Sequence, residues 1–286
     1  MREIDAETVR RTVLSDGLEF HHVEAGQGTP LVFLHGVLGD WRTWAPQWPA
    51  FVPHFRCIAY SRRYNWPNRN LRAQPDHSAF VEADDLSRLM DTWQTGPAVL
   101  VGSSYGAFTA LSLAVRHPDK VRALVLLEPP MLRWADFSEA GRRARETFER
   151  EVREPARRAF LDGDIQRGVL LLTGGIVGAQ AMEHMPPQSM ERRLQNAESI
   201  RMLTLSTDEF PMISAQDLRD VRAPTLLLAG EQTPTVHDAV FRNVCAVMTQ
   251  ARTGRISNAG HGAARDNPQA FNRLTRSFLE EAGLWT

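Results

Sequence analysis

Gly102-Ser103-Ser104-Tyr105-Gly106 is the segment whose residue types and spacing could do chemistry. A serine framed by two glycines in a G-x-S-x-G pentapeptide suits attack on a carbonyl carbon, provided the chain lifts the hydroxyl clear of its surroundings. Both flanks favour that. Ala98-Val99-Leu100-Val101 reads as a short buried strand, and Ala107, Ala110, Leu111, Leu113, Ala114 and Val115 recur at helical spacing until His117-Pro118 ends the run. A strand, a sharp turn and a helix would hold Ser104 at the apex, and the glycines would omit the Cβ atoms that crowd such a turn. This context favours a nucleophile over a serine that merely caps a helix.

A serine hydroxyl is a poor nucleophile until a base takes its proton, and the base in turn needs an acid to orient it. Of the nine histidines, His261 stands in the small-residue loop Ser257-Asn258-Ala259-Gly260-His261-Gly262, between the last strand and the last helix. His21 and His22 lie on an early edge strand, His117 ends the helix behind Ser104, and His184 sits in a helical region, so each reads as surface or structural. The segment Leu34-His35-Gly36-Val37-Leu38-Gly39 closes the third strand. His35 there reads as a hydrogen-bonding brace, and Gly36 lets the backbone turn.

Periodicity supplies the elements that must position these groups. Strands are expected at Thr8–Leu14, Leu18–Glu24, Leu31–Leu34, Arg56–Tyr60, Ala98–Val101, Val121–Leu127, Thr225–Ala229 and Ala251–Ile256. The first two alternate, like a leading edge hairpin; most of the others are short and apolar, as parallel strands covered on both faces are. Helices are expected near 40–50, 78–94, 105–116, 235–249 and 268–282. Between Met131 and Arg222 no strand pattern appears, only amphipathic helical segments such as Ser138–Glu151 and Pro155–Leu161, punctuated at Leu172-Thr173-Gly174-Gly175 and Met185-Pro186-Pro187. The alternation means an α/β, doubly wound sheet with its ligand site at the carboxyl ends of the strands.

The order of His-Gly loop, G-x-S-x-G elbow, helical insertion and terminal histidine resembles the α/β-hydrolase superfamily over essentially the whole chain. The resemblance implies a mostly parallel eight-stranded sheet flanked by helices, with a helical lid inserted after strand 6. The core would be 1–130 and 223–286, and the lid 131–222. It further implies a serine hydrolase that forms an acyl-enzyme on Ser104, with His261 as base. The backbone N–H groups of Val37 and Tyr105 would form the oxyanion hole.

The acid departs from the superfamily's commonest pattern, which places Asp three residues past the glycine closing the penultimate core strand. That strand is Thr225-Leu226-Leu227-Leu228-Ala229-Gly230, and the expected position holds Thr233. Glu128, ending the apolar run Leu126-Leu127 beside the elbow strand, is the better candidate, because a carboxylate there costs desolvation unless it has a partner. A lactonase-like branch of the superfamily is similar in carrying its acid after this strand. Glu231 remains the alternative.

Trp66, in the loop after the fourth strand, and Trp134, opening the insertion, are candidate substrate-binding residues. Trp41, Trp44 and Trp48 are at helical spacing and read as core, as do Met182, Met185, Met190 and Met202, with an adaptable pocket lining as the alternative. Arg62 and Arg63 could clamp a carboxylate, although structural pairing is the plainer reading. The sum favours an apolar or aromatic, neutral ester or lactone as the small-molecule substrate. A ligand-sensing member of the fold, or cofactor-free C–C cleavage or oxygenation, is the alternative.

The 286 residues carry 33 basic and 34 acidic side chains, a formal net charge of −1 that gives no case for nucleic acid or an anionic membrane surface. No metal-spaced His/Cys cluster, phosphate cradle or dinucleotide fingerprint is present, so no cofactor or metal is expected. Cys57 and Cys245 are too few for a disulfide framework. No run approaches the ~20 apolar residues of a membrane span, and Met1–Asp5 leads into no apolar signal segment. A soluble cytoplasmic protein is expected.

Overall fold

Strand residues of this chain alternate between two buried layers, which is what a sheet covered on both faces demands. In the computed structural model, which describes residues 3–70 and 74–285, Val32, Leu34, Leu100, Leu124, Leu126 and Leu227 face one apolar cluster. Their neighbours Leu31, Phe33, Val99, Val101, Val125 and Leu226 face another. Met1 and Arg2, where the charged start begins, lie outside the described residues.

The strands are β1 (Arg10–Val13), β2 (Glu19–Ala25), β3 (Pro30–Leu34), β4 (Arg56–Tyr60), β5 (Ala98–Ser103), β6 (Val121–Leu127), β7 (Thr225–Gly230) and β8 (Arg252–Ile256). They form one sheet in the order β1-β2-β4-β3-β5-β6-β7-β8. β1 pairs antiparallel with β2, and β2 with β4. Every later pairing is parallel. The expected leading hairpin is thus the edge of the sheet, and β5, carrying the elbow, sits near its middle.

Helices Ala79–Thr92 and Tyr105–Arg116 cover one face, and Pro268–Glu281 packs on the other. The expected helix at 40–50 is instead two short turns, a 3-10 turn Trp41–Trp44 and Trp48–Phe51. Pro46 and Pro49 lack the N–H groups a continuous helix needs there. Trp41, Trp44 and Trp48 are nonetheless buried, with Trp44 and Trp48 against Phe33.

Between β6 and β7 the described residues form helices and turns only. Leu172-Thr173-Gly174-Gly175 does not interrupt them: helix Ile165–Val177 runs through it and ends at Gly178, φ 86°. The reason is close packing, since a Cβ on Gly175 would come within 2.2 Å of Val152 Cγ1. The break at Met185-Pro186-Pro187 does separate Ala179–Glu183 from Pro187–Gln195. Ala156, Phe160, Val169, Leu172 and Ile200 give the inserted helices an apolar cluster of their own. Asn196 ties them to the core: its Oδ1 accepts from the Trp66 N–H and its Nδ2 donates to Asp40.

Candidate active site

β5 stops at Ser103 and the next helix starts at Tyr105, leaving Ser104 alone at the turn with φ 52° and ψ −123°. A non-glycine residue in that region is strained and persists only where its surroundings enforce it. The glycines do so. A Cβ on Gly102 would lie 2.6 Å from Ala107 Cα, and one on Gly106 only 2.2 Å from the Leu34 carbonyl oxygen. No side chain fits at either position.

Ser104 Oγ lies 2.8 Å from His261 Nε2, and His261 Nδ1 lies 2.6 Å from Glu128 Oε2. With Nδ1–H donating to the carboxylate, Nε2 is the nitrogen that accepts from the serine hydroxyl. Each member comes from a different strand end: Ser104 after β5, Glu128 after β6 and His261 after β8. All three are at least nine-tenths buried. Glu128 also has positive φ, 45°, so two of the three sit in strained backbone.

Glu128 is satisfied on both oxygens. Oε1 accepts from the Gly230 N–H at 2.8 Å, and Oε2 accepts from the Thr233 hydroxyl at 2.6 Å. Thr233, at the position where the commoner pattern has its acid, therefore serves the carboxylate donated by β6. Glu231, the alternative, is solvent-exposed.

Tyr105 is the first residue of its helix, so its N–H has no intrahelical acceptor and lies at the positive end of the helix dipole. Val37 and Tyr105 border, with Ser104, a small inner cavity of about 30 Å³. His35 fixes the Val37 side of that cavity. Its Nε2 accepts from the Arg62 N–H at 3.0 Å, so Nδ1–H donates to the Gly36 carbonyl at 2.8 Å. Gly36 C=O and Val37 N–H belong to one planar trans peptide, so holding the oxygen aims the N–H the opposite way. Burial and the Arg62 charge lower the His35 pKa to about 3, which keeps it neutral in this role.

Arg62 and Arg63 are buried ion pairs and do not face the cavities. Arg62 bonds Glu82, which also takes His77 and Thr109, and Arg63 grips Asp85 at 2.6 and 2.7 Å. Trp66 and Trp134 are not among the residues lining either cavity bordered by Ser104. Arg42 covers the Trp66 ring at 3.8 Å, and Trp134 is buried with Nε1–H donating to the Ile213 carbonyl. Residues of the inserted helices, Leu172, Ile176 and Val177, line the cavities instead.

His237 was not singled out by its sequence, where it is one more residue on the buried face of helix Thr235–Val247. Its ring stacks on His261 with centroids 4.0 Å apart and planes 21° from parallel. Neither of its nitrogens has a partner among the described residues. Burial, then the adjacent His261, pushes its pKa well below the ordinary value, so it is a neutral plate against the base. Glu128, His237 and His261 are the one trio of metal-type ligands that clusters among the described residues. Its Glu–His pair is already hydrogen-bonded, and a cation would have to displace that bond.

A larger outer cavity, about 260 Å³, opens from Ser104 and His261 towards Arg42, Arg192, Arg193 and Arg265. Among the described residues, no helix is long and apolar enough to cross a membrane.

The chain is similar over most of its length to proteins of this architecture. It is 24% identical over 275 residues to the (E)-2-((N-methylformamido)methylene)succinate hydrolase of Acinetobacter baylyi, covering 93% of this chain and 96% of that protein. The solved structure of Est816, described as an N-acyl homoserine lactone degrading enzyme, superimposes with a TM-score of 0.74 at 22% identity, covering 94% of this chain and 100% of that one. Carboxylesterase CesB from Bacillus subtilis gives 0.73 at 20% identity, covering 96% and 92%. Residues 29–268 match the family described as alpha/beta hydrolase fold, and the chain belongs to that family.

Proposed function

We propose that this protein is a serine hydrolase that cleaves a carboxylic ester or lactone. The observation that carries the reading is the single imidazole of His261, which spans Ser104 Oγ at 2.8 Å and Glu128 Oε2 at 2.6 Å. His261 takes the hydroxyl proton as Ser104 Oγ bonds to the carbonyl carbon, and Glu128 stabilises the imidazolium that results. The Val37 and Tyr105 N–H groups receive the oxyanion. Collapse breaks the bond to the alkoxy oxygen, which leaves with the proton from His261. Water, deprotonated by the same imidazole, then releases the acid and restores Ser104. Residues 131–222 act as a lid, since their side chains close the cavities over the serine. The two solved structures of this fold are described as a carboxylesterase and as an N-acyl homoserine lactone degrading enzyme.

Labelling with a fluorophosphonate, read by intact mass and peptide mapping, tests this reading. One adduct on Ser104, lost in Ser104→Ala and His261→Ala, is expected. A folded protein that takes no label would sink it. Turnover surviving Ser104→Ala but lost in His261→Ala would instead place the chemistry on the histidine alone, as in cofactor-free C–C cleavage.

A further inference from the structure

Arg193, on helix Pro187–Gln195, is a buried cation without an anion. The residue is only 6% exposed, yet its guanidinium makes one hydrogen bond, from Nη1 to the Ser189 carbonyl at 2.7 Å. Nε is buried with no partner, and no carboxylate lies within ion-pair distance among the described residues. The other two buried arginines among the described residues are treated differently: Arg62 has Glu82 and Arg63 has Asp85. Leaving a buried charge uncompensated is costly, so a fold that pairs two and not the third has a reason at the third.

Arg193 lines the outer cavity together with Ser104 and His261. Arg192 adds a further positive charge to the lining, and Arg265, also in it, is paired with Asp266 at 3.0 Å. The one carboxylate there, Asp40, is already bound by Arg42 at 2.7 and 2.8 Å and by Asn196 at 2.9 Å. Burial, then the like charge of Arg265, lowers the Arg193 pKa to about 10, which leaves it charged near neutrality but starved of a counter-ion. Nε and Nη2, without partners among the described residues, form the edge of a guanidinium that grips a carboxylate through two parallel bonds. Apolar residues such as Leu38, Trp44, Ile176 and Val177 supply the rest of the lining.

We propose that the outer cavity is a carboxylate-binding subsite centred on Arg193, so that the ester or lactone cleaved at Ser104 itself carries a carboxylate. The inference rests on the serine-hydrolase reading and replaces the neutral substrate expected from the sequence. The anionic arm occupies the outer cavity, and only a short apolar arm fits the inner one beside Val37, Leu172 and Ile176.

Two ester pairs test it: mono-4-nitrophenyl glutarate against its methyl ester, and 4-acetoxybenzoate against methyl 4-acetoxybenzoate. They place the charge on the acyl and the alcohol side in turn. In the wild type at least one anionic ester should exceed its neutral partner ten-fold or more in kcat/KM. Arg193→Gln should collapse that ratio at least ten-fold, and Arg193→Lys should restore part of it. Arg193→Gln should also melt no lower than the wild type, because it removes an unpaired buried charge. A purely structural arginine would behave oppositely. Arg192→Gln, which is partly exposed, should lower the same ratio a few-fold and more at low salt, and it remains readable should Arg193→Gln not fold.

Calorimetry separates this inference from the reading beneath it. Monomethyl glutarate should bind the wild type and Ser104→Ala, lose ten-fold or more in Arg193→Gln, and outbind dimethyl glutarate in both competent proteins. Fluorophosphonate labelling without any anion preference or anion binding overturns the subsite alone. Anion binding through Arg193 in a protein that takes no label overturns the acyl-enzyme and keeps the subsite.

Discussion

The Thr233 hydroxyl donates to Glu128 Oε2 at 2.6 Å, the same oxygen that receives His261 Nδ1–H. β6 and β7 are adjacent parallel strands, so the residues after either can reach the imidazole. In this chain the residue after β7 gives a proton donor and the one after β6 gives the carboxylate. With Gly230 N–H, three donors surround the buried acid, which offsets the cost of burying it.

Glu128 and Thr233 should therefore differ sharply on removal. Glu128→Gln keeps the shape but no longer selects the tautomer or stabilises the imidazolium, and kcat should fall by about 10²–10⁴. Thr233→Val removes one of three hydrogen bonds and should cost roughly 10-fold or less, in line with about 1 kcal/mol for a single bond. Glu231→Gln, at an exposed position, should leave kcat unchanged. Steady-state turnover of a responsive ester by the three variants settles the order, and equal losses from Glu128→Gln and Glu231→Gln would contradict the assignment.

His237 should behave as a plate. His237→Phe keeps an aromatic face against His261 and removes two buried nitrogens that have no partners among the described residues. It should raise stability by about 1 kcal/mol or more with little change in kcat. His237→Ala should cost about 2–4 kcal/mol, as other large-to-small core changes do, and should lower kcat by freeing the base. Thermal melts and turnover of both variants provide the comparison. A large kcat loss in a stable His237→Phe protein would show that its nitrogens matter.

Buried ionic support for the His35-Gly36-Val37 loop should be equally sensitive. The Arg62 side chain is fully buried and bonds Glu82, while the Arg62 N–H holds His35. Glu82→Gln leaves that guanidinium without its anion and should destabilise by about 3–5 kcal/mol. Glu82→Gln with Arg62→Met should recover much of the loss, because neither charge then remains. Denaturant unfolding of the two variants measures this; equal stability would remove Arg62–Glu82 from the supports of the loop.

The strands, the elbow and the histidine placed beside Ser104 were legible because each depends on local pattern. The runs around Val99 and Leu124 are apolar since both sheet faces are covered, and Gly102 and Gly106 are glycines since backbone occupies their Cβ space. Arg62 and Arg193 show what was not legible. Both are arginines among polar neighbours in sequence, and only the chain's return over long separations gives one a carboxylate and denies it to the other. The placing of Trp134 away from both cavities was not legible for the same reason. Its indole is bonded to Ile213, a contact that spacing along the insertion does not encode. Gly174-Gly175 looked like a helix break, but the helix runs on and Gly175 admits Val152.

Three buried histidines set an acid limit on stability. Burial lowers the pKa of His22 to about 4 and of His35 to about 3, and holds that of His237 well below its ordinary value. In the unfolded chain each titrates near 6.5. Above that pH both states are neutral at these positions and the full stability is present. As pH falls below it the unfolded chain takes up protons that the native protein refuses, so stability drops. Each such residue contributes at most about 1.4 kcal/mol per pH unit, roughly 4 kcal/mol per unit for the three together once the unfolded histidines are protonated, until the native histidines titrate. The buried Asp85 and Glu209 carboxyls, whose pKa values are raised by burial, act in the opposite sense. The melting temperature should therefore fall from pH 6.5 to 5.5, with proton uptake on unfolding rising from about 1.5 to about 2.7, and His22→Phe should flatten the slope by about a third. A melting temperature that stays level across that interval would mean these histidines are not held neutral.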